Sequence, residues 1–591
     1  MLFDPISTLA SLLAVAIYFA LTFIFPETDG YLNDSSRRIR KTLLPVLIIW
    51  LLTSIGNLIA TLANLFEVGI TEMLDWVSIR SYVTQTSLGR LQAIQVLASI
   101  ILIISYPLLR KVGGAFILFT ISMAGLVAPV FESHSAQAGS HGLAIGSLVI
   151  HVVAISTWFG GVAALYFMDA QSKVIALPRV STIATWAVIA MVASGVINSL
   201  LRLGFTSAWF TAYGLMIISK TLILGVIAFI ASQIRKNVAS DKLIRFESAL
   251  LILIILIGSL LSRVTPLIEK ELPIDPARDL VGVSMPAAPT WQRVFFEYEA
   301  DALILGSLIF VTALYIRGVV VLVRRGDRWP IGRTISFAIG ISFLDYSTSG
   351  GLGLYGIFSF KYHMVAHMVL SMIAPIFIVL SAPITLALRT LPQGRSKEER
   401  GLRRWFLSML HSRVSSVFTH PVTALAILDG SLFALYFTPL FGDLMSSHFG
   451  HLVMNLHFIG AGLLFFYVIV GVDPNPRRTH HLVRMVILLA AMSIHAFFSL
   501  ALMSSTTLID GGYYEALQRP WDSNLLADQR TGASLGWAMG EIPIVIAFIA
   551  TFIQWLRSDA REAKRADRNS ERDLTEYNEY LRELAERRKD S

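Results

Sequence analysis

Long apolar runs separated by short polar stretches recur along the whole chain. Fifteen can be placed, at roughly 6–25, 43–66, 88–109, 112–130, 141–167, 180–204, 211–233, 244–263, 300–323, 333–349, 362–388, 421–440, 449–471, 482–505 and 531–556. Each is about 17 to 27 residues, enough for a helix to cross ~30 Å of hydrocarbon. The pattern predicts an all-α polytopic membrane protein with about fifteen transmembrane helices in two bundles. The start, Met1 to Ile6, lacks a basic segment, and the first run is too long for a signal peptide, so it reads as a span. Between Thr265 and Pro289 the helical period fails, where Pro266, Pro273, Pro276, Pro286 and Pro289 favour extended chain. The expected organisation is an eight-span domain at 1–264, an outer Pro-rich linker at 265–298, a seven-span domain at 299–556 and a charged tail at 557–591. The halves show no internal repeat, so an inverted-repeat transporter is not supported. In the tail, Leu574, Tyr577, Leu581 and Leu584 form a thin helical stripe. It predicts a short cytoplasmic helix, either solvated or a docking face for a partner.

Composition narrows the class. Of the 591 residues, 55% are hydrophobic and 15% charged, against about 25% charged in soluble domains. The net charge of +8 reflects sidedness, not nucleic acid. Basic clusters alternate between loops: Arg37–Lys41, Arg110-Lys111, Arg235-Lys236, Arg324-Arg325, Arg395–Arg404, Arg477-Arg478 and the tail share one side. The positive-inside rule puts that side in the cytoplasm, with the N-terminus outside and the C-terminus inside. Carboxylates outnumber basic groups in the outer loops, which concentrates cations there. The chain has no cysteine, so a soft metal would be held by His, Met, carboxylate or backbone oxygen. There is no Walker loop, Gly-rich strand-to-helix turn or nucleophile elbow, and no enzyme is expected.

Ionisable groups inside spans are costly and mark candidate sites. In the first half these are His151 and Lys220, with His134 and His141 in the outer loop before span 5 as candidate capture groups; two surface histidines are also compatible with no role. The sequence His151-Val-Val-Ala-Ile-Ser-Thr-Trp158-Phe-Gly160-Gly161 is followed by Ser181, Gly195, Tyr213-Gly214, Lys220 and Arg235-Lys236-Asn237. This order resembles the CopD family of copper-resistance and copper-uptake membrane proteins, most clearly over residues 140–240. The resemblance implies inward copper movement across the bacterial cytoplasmic membrane.

In the second half, span 11 opens with Tyr362-His363-Met364-Val365-Ala366-His367-Met368. His363 and His367 share one helix face at i, i+4, with Met364 and Met368 beside them. In span 13, His451, Met454 and His457 step by three. Imidazole with thioether and no thiolate suits copper as Cu(I), and zinc less. Met stripes are also ordinary packing material. Asp429, His457, His495 and Glu541 lie ~14–17 Å from the outer boundary by helical rise. They form a second layer that either supports the copper site or locks the bundle.

Ala374-Pro375, Ala382-Pro383, Leu391-Pro392, His420-Pro421, Phe465-Phe466, Asp528-Gln529-x-x-Gly532, Trp537, Gly540-Glu541 and Pro543 follow in order. With the span 11 motif, they resemble the CtaG family of cytochrome c oxidase assembly factors over roughly 300–556. Ala533 stands where a second glycine is usual. The resemblance implies copper delivery to the copper B centre, with the nascent catalytic subunit of cytochrome c oxidase as partner. The expected function is copper handling across the membrane and delivery to the oxidase. A copper-free assembly scaffold, or a transporter of protons or another small solute through Lys220, Asp429 and Glu541, stays open at this point.

Overall fold

In the computed structural model, residues 3–132, 141–236, 240–261, 264, 275–394, 401–476 and 479–589 are described. They are almost wholly helical, with one two-stranded pairing of Glu27–Thr28 against Tyr31–Leu32. The long helices are α1 (Phe3–Ile24), α2 (Asp34–Leu65), α3 (Ser87–Leu108), α4 (Val112–Glu132), α5 (Gly142–Phe167), α6 (Ala170–Leu203), α7 (Ala212–Ile234), α8 (Asp241–Leu261), α9 (Ala302–Arg324), α10 (Ile331–Thr348), α11 (Phe360–Leu380), α12 (Pro421–Tyr436), α13 (His448–Val470), α14 (His481–Met503) and α15 (Leu525–Lys589).

Thirteen of these are long and apolar enough to cross a membrane among the described residues. The other two expected spans, α10 and α12, fall short. Helix α10 carries Arg333 and Asp345 within its 18 residues, and α12 is a short apolar helix interrupted by a π-bulge at Ala426–Gly430. Helix α10 nevertheless joins opposite ends of the bundle. Asp327, before it, pairs with Arg389 at 3.3 Å, and Gly350, after it, bridges to Tyr298. Loops expected to share a side meet at three further places. Tyr31 bridges to Lys111 at one end. At the other, Trp521 Nε1 donates to the Pro286 carbonyl at 3.1 Å, and Tyr513 donates to Ile357 at 3.0 Å.

Each half has its own large apolar cluster. Helix α1, largely apolar and the most deeply buried of the spans, is the post of the first. Gly160 on α5 lets that helix close on it, since a Cβ there would stand 2.5 Å from the Ala16 carbonyl oxygen. Trp158 is fully buried beside it and donates from Nε1 to Glu247 at 3.1 Å. The aromatic-glycine part of the span 5 motif is therefore packing chemistry. Helix α11 is the post of the second half. Gly462 on α13 meets it so closely that a Cβ would lie 2.0 Å from the Ser371 carbonyl oxygen, inside the π-bulge Val369–Ile373.

The tail departs from expectation. It is not a separate short helix but the continuation of α15, 65 residues without a break. Beyond Pro543 no proline or glycine interrupts the sequence, and the charged residues there are good helix formers. Leu574, Tyr577, Leu581 and Leu584 are all exposed along it. Part of the expected linker, 265–274, lies outside the described residues. From Asp275 a short helix, Pro276–Val281, leads into extended chain, with Asp275 capping its first amides.

Candidate metal site

The start of α11 is fixed by Asp528 of α15. Its carboxylate accepts from Ser359 Oγ at 2.9 Å, from the Phe360 amide at 3.0 Å and from Arg519 at 3.0 Å. Arg519 in turn donates to the Phe358 carbonyl at 2.9 Å. A carboxylate on a helix N-terminus satisfies an otherwise orphaned amide and complements the dipole. Asp528, expected as a path or supporting group, is thus the anchor that sets the height of α11. Gln529 beside it holds the loop ahead, accepting from the Ile509 amide at 3.0 Å and donating to the Thr507 carbonyl at 3.1 Å.

Three glycines spaced by four then receive what α11 and α14 present. A Cβ at Gly532 would stand 2.7 Å from the Phe360 ring, one at Gly536 would be 2.6 Å from Met364 Cγ, and one at Gly540 would be 2.1 Å from His495 Nε2. Ala533, in place of a second glycine, is buried without loss of this approach. Met364 is therefore turned to α15, where Gly536 makes room for its thioether.

With α11 so placed, His363 and His367 face α13. Each is only 1% exposed, and their ring centroids are 3.9 Å apart. His451 of α13 joins them, 5.9 Å from His363 by ring centroids. One nitrogen from each of the three rings lies within 4.8 Å of the other two. Supporting bonds orient two of the rings. His367 Nδ1 is 3.0 Å from the Tyr436 hydroxyl. His363 hydrogen-bonds the Gly356 carbonyl, and a carbonyl can only accept. Nε2 of both His363 and His367 is buried without a close hydrogen-bond partner, with the Asn455 side chain of α13 the polar group that faces His367. Nδ1 of His363 therefore carries the proton, and Nε2 presents its lone pair, which is the tautomer a metal ligand needs. Three imidazoles gathered this closely, two of them with a buried and unpartnered nitrogen, are what a soft cation would satisfy.

The remaining expected residues divide. Met368 and Met454 are buried in the apolar cluster around the triad. His457, expected to follow His451 and Met454 along α13, is instead exposed. A step of three falls short of a helical turn by ~60°, so two steps from His451 rotate His457 away by ~120°. Phe458 takes the place against His367, with ring centroids 4.3 Å apart.

The deep layer does not form an Asp–His pair. His495 bonds the Gly536 carbonyl at 3.2 Å, and both carboxylate oxygens of Asp429 are buried without a partner, with Glu541 the charge that acts on them. In the first half, His151 Nδ1 is 3.0 Å from Ser194 Oγ, and Asn198 donates to Ser147 Oγ at 2.8 Å and to the Ser194 carbonyl at 3.0 Å. Lys220 is near enough for its charge to act on His151, and its Nζ lies against Gly258 of α8. His134 and the side chain of His141 lie outside the described residues.

Sequence reasoning missed Tyr436, and it missed the pair of Asp301 and His448, whose carboxylate oxygen and Nε2 are 3.1 Å apart. Burial pushes the Asp301 carboxyl up. The hydrogen bond and charge of His448, with the Ile304 and Leu303 amides, outweigh it and hold the group below its usual range. The glycine spacing 532, 536, 540 was a readable signal of close helix approach; nothing in the sequence marked Tyr436.

Comparison with known proteins agrees with these two regions. Residues 6–143 match the copper resistance protein D-like N-terminal domain, residues 174–261 match copper resistance protein D, and residues 313–558 match the cytochrome c oxidase caa3 assembly factor, Caa3_CtaG. An uncharacterized protein of Mycobacterium leprae is 28% identical over 596 residues, covering 98% of this chain and 88% of that one. An uncharacterized protein of Mycobacterium bovis is 38% identical over 314 residues, 52% of this chain but only 48% of that one. The inner membrane protein YebZ of Escherichia coli is 27% identical over 191 residues, 31% of this chain and 66% of that one. No solved structure matches the chain significantly. The chain is thus a multi-pass bacterial membrane protein that joins an N-terminal region like copper resistance protein D to a C-terminal Caa3_CtaG oxidase assembly factor domain, with a copper-related role in oxidase assembly.

Proposed function

We propose that the chain is a copper carrier and chaperone, not an enzyme, that takes Cu(I) at the outer face and delivers it for the copper B centre of cytochrome c oxidase. The observation that carries this reading is the convergence of His363, His367 and His451, with their nitrogens within 4.8 Å and two Nε2 atoms buried and unpartnered. Imidazoles in a low-coordinate arrangement suit Cu(I), which tolerates two or three donors and needs no thiolate. The apolar surround, with Met368 and Met454 in it, excludes water and so favours the softer oxidation state. The first half, with its resemblance to copper-resistance proteins, admits or collects the ion. The second holds it where a membrane-embedded oxidase subunit can receive it.

The test is metal analysis of the detergent-purified full chain after Cu(I) loading, together with the copper content of oxidase from cells lacking the chain. The expected results are about one equivalent or more of bound copper, since a three-donor site is complete for Cu(I), and oxidase protein made without its copper. A chain that binds none after loading, yet is still required for oxidase assembly, would be a scaffold instead.

A further inference from the structure

Against the triad, on the side of the connecting loops, is a cavity of about 50 Å³. It lies at the seam between the halves. Gly142, at the start of α5, forms one wall; Glu299, Asp301 and Ile304 form another; His448 and His451 of α13 complete it. Its volume holds a small cation together with a few waters. The first half packs tightly against the seam. A Cβ at Gly142 would lie 3.2 Å from the Ala300 carbonyl oxygen, and one at Gly146 would be 2.4 Å from the Leu303 amide. Phe131 of α4 covers the His448 ring at 5.9 Å between centroids.

His451 belongs to both places: it lines the cavity and supplies the third nitrogen of the triad. Asp301, 8% exposed, faces His448 across 3.1 Å, and the two sit one helical turn outward of His451, since His448 precedes it by three residues on α13. A carboxylate and an imidazole aimed at each other beside a cavity are a pair that a cation can part and bridge. Neither group is needed by the triad, which already has three donors. Asp301 also caps α9 through the Leu303 and Ile304 amides at 2.8 and 3.1 Å, so its carboxylate is held in place and does not wander.

We propose that Asp301 and His448 form a second, outer copper site that receives the ion in the seam cavity and passes it to the triad through His451. This rests on the copper reading above. The outer site holds the ion more weakly, by one oxygen and one nitrogen, and the inner triad holds it by three nitrogens. The difference in donors gives the transfer its direction. The proton that His448 Nε2 shares with the Asp301 carboxylate passes to water in the cavity when both groups take the metal, and returns when the ion moves inward; the copper stays Cu(I) throughout.

The experiment uses the full chain in lipid nanodiscs, with Cu(I) supplied in acetonitrile-containing anaerobic buffer and bound copper measured at timed quenches. The variants are Asp301→Asn, which keeps the helix cap while losing the charge, and His448→Asn. The expected result is triad copper at the wild-type final level, reached at least about tenfold more slowly in each variant, as loss of the charge that concentrates the ion in Asp301→Asn, or of the imidazole donor in His448→Asn, predicts. The retained final level also shows that the variants fold. Wild-type loading rates in both variants would overturn the outer site while leaving the copper reading intact. Loss of the final copper in both would make the pair part of the triad's own support and would also overturn it. If the wild-type chain takes up no Cu(I), the copper reading fails and the outer site falls with it.

Discussion

His151 and His363 both sit in membrane helices, yet their surroundings differ. In the first half, polar side chains along α5 and α6 largely answer one another: His151 Nδ1 has Ser194, Asn198 Nδ2 has Ser147 and the Ser194 carbonyl, and Asn198 Oδ1 alone is left buried without a partner among the described residues of these two helices. In the second half, His363 and His367 each keep one supported nitrogen and leave the other buried without a partner, and both rings gather with that of His451. A half-buried imidazole tied to a neighbouring hydroxyl, with no second unmet ring beside it, is held by the fold alone. Imidazoles with one nitrogen oriented and the other left over are prepared for something the chain does not contain. Convergence of unmet groups, not the mere presence of a polar residue in a span, separates a site from a strut.

The strongest way to break this comparison is to remove two donors at once. Replacing His363 and His367 by alanine should bring bound copper from the second half to background and leave oxidase protein short of copper. Metal analysis of the purified chain and of the oxidase reads both. Full copper in this double variant would return the triad to the status of packing. A gentler cut is Tyr436→Phe, which removes the hydroxyl on His367 Nδ1 while keeping the ring. It should weaken Cu(I) affinity by about 10–100-fold, the usual cost of losing a supporting hydrogen bond at a ligand, as read by competition with a Cu(I) chelator.

Next in size is Gly540→Leu, which drives a side chain into the His495 ring. Overpacking of this kind costs about 1–3 kcal/mol, so the unfolding midpoint in detergent should fall. An unchanged midpoint would mean that α14 and α15 do not close as described. The smallest effect belongs to the first half. His151→Ala should leave triad copper unchanged and cost about 1 kcal/mol of stability, the scale of one interhelical hydrogen bond in a membrane. Copper loss equal to that of the span 11 double variant would erase the contrast between the halves.

The sidedness of both halves has its own test. Because the chain has no cysteine of its own, single cysteines at Ser207 and Ser570 should react with an impermeant thiol reagent from outside and inside respectively. Labelling of the second in intact cells would reverse the orientation.

Much of this was legible in the sequence because hydrophobic length and periodicity act locally. Thirteen helices need nothing beyond their own composition to be recognised. Helix α10, with Arg333 and Asp345, is shaped instead by the loops it connects, a relation no single run of residues states. The i, i+4 histidines were readable because a helix fixes their common face. His457 was misread because a step of three was followed too far around α13. Tyr436 and the Asp301–His448 pair come from helices distant in sequence, and only the closed approach at Gly462 and the tight seam at Gly142 and Gly146 bring such groups together.

The unbroken α15 has a consequence of a mechanical kind. Sixty-five helical residues make a rod ~97 Å long at 1.5 Å per residue. One end is clamped through Asp528 to the helix that carries His363 and His367, and the far third stands clear of the bundle with every side chain in its apolar stripe uncovered. A stiff rod pivoting within the bundle turns a tilt of a few degrees into a displacement of several ångströms at its tip. Whatever grips the charged far end therefore has leverage on the height of α11, and with it on how closely the imidazoles of α11 face that of α13.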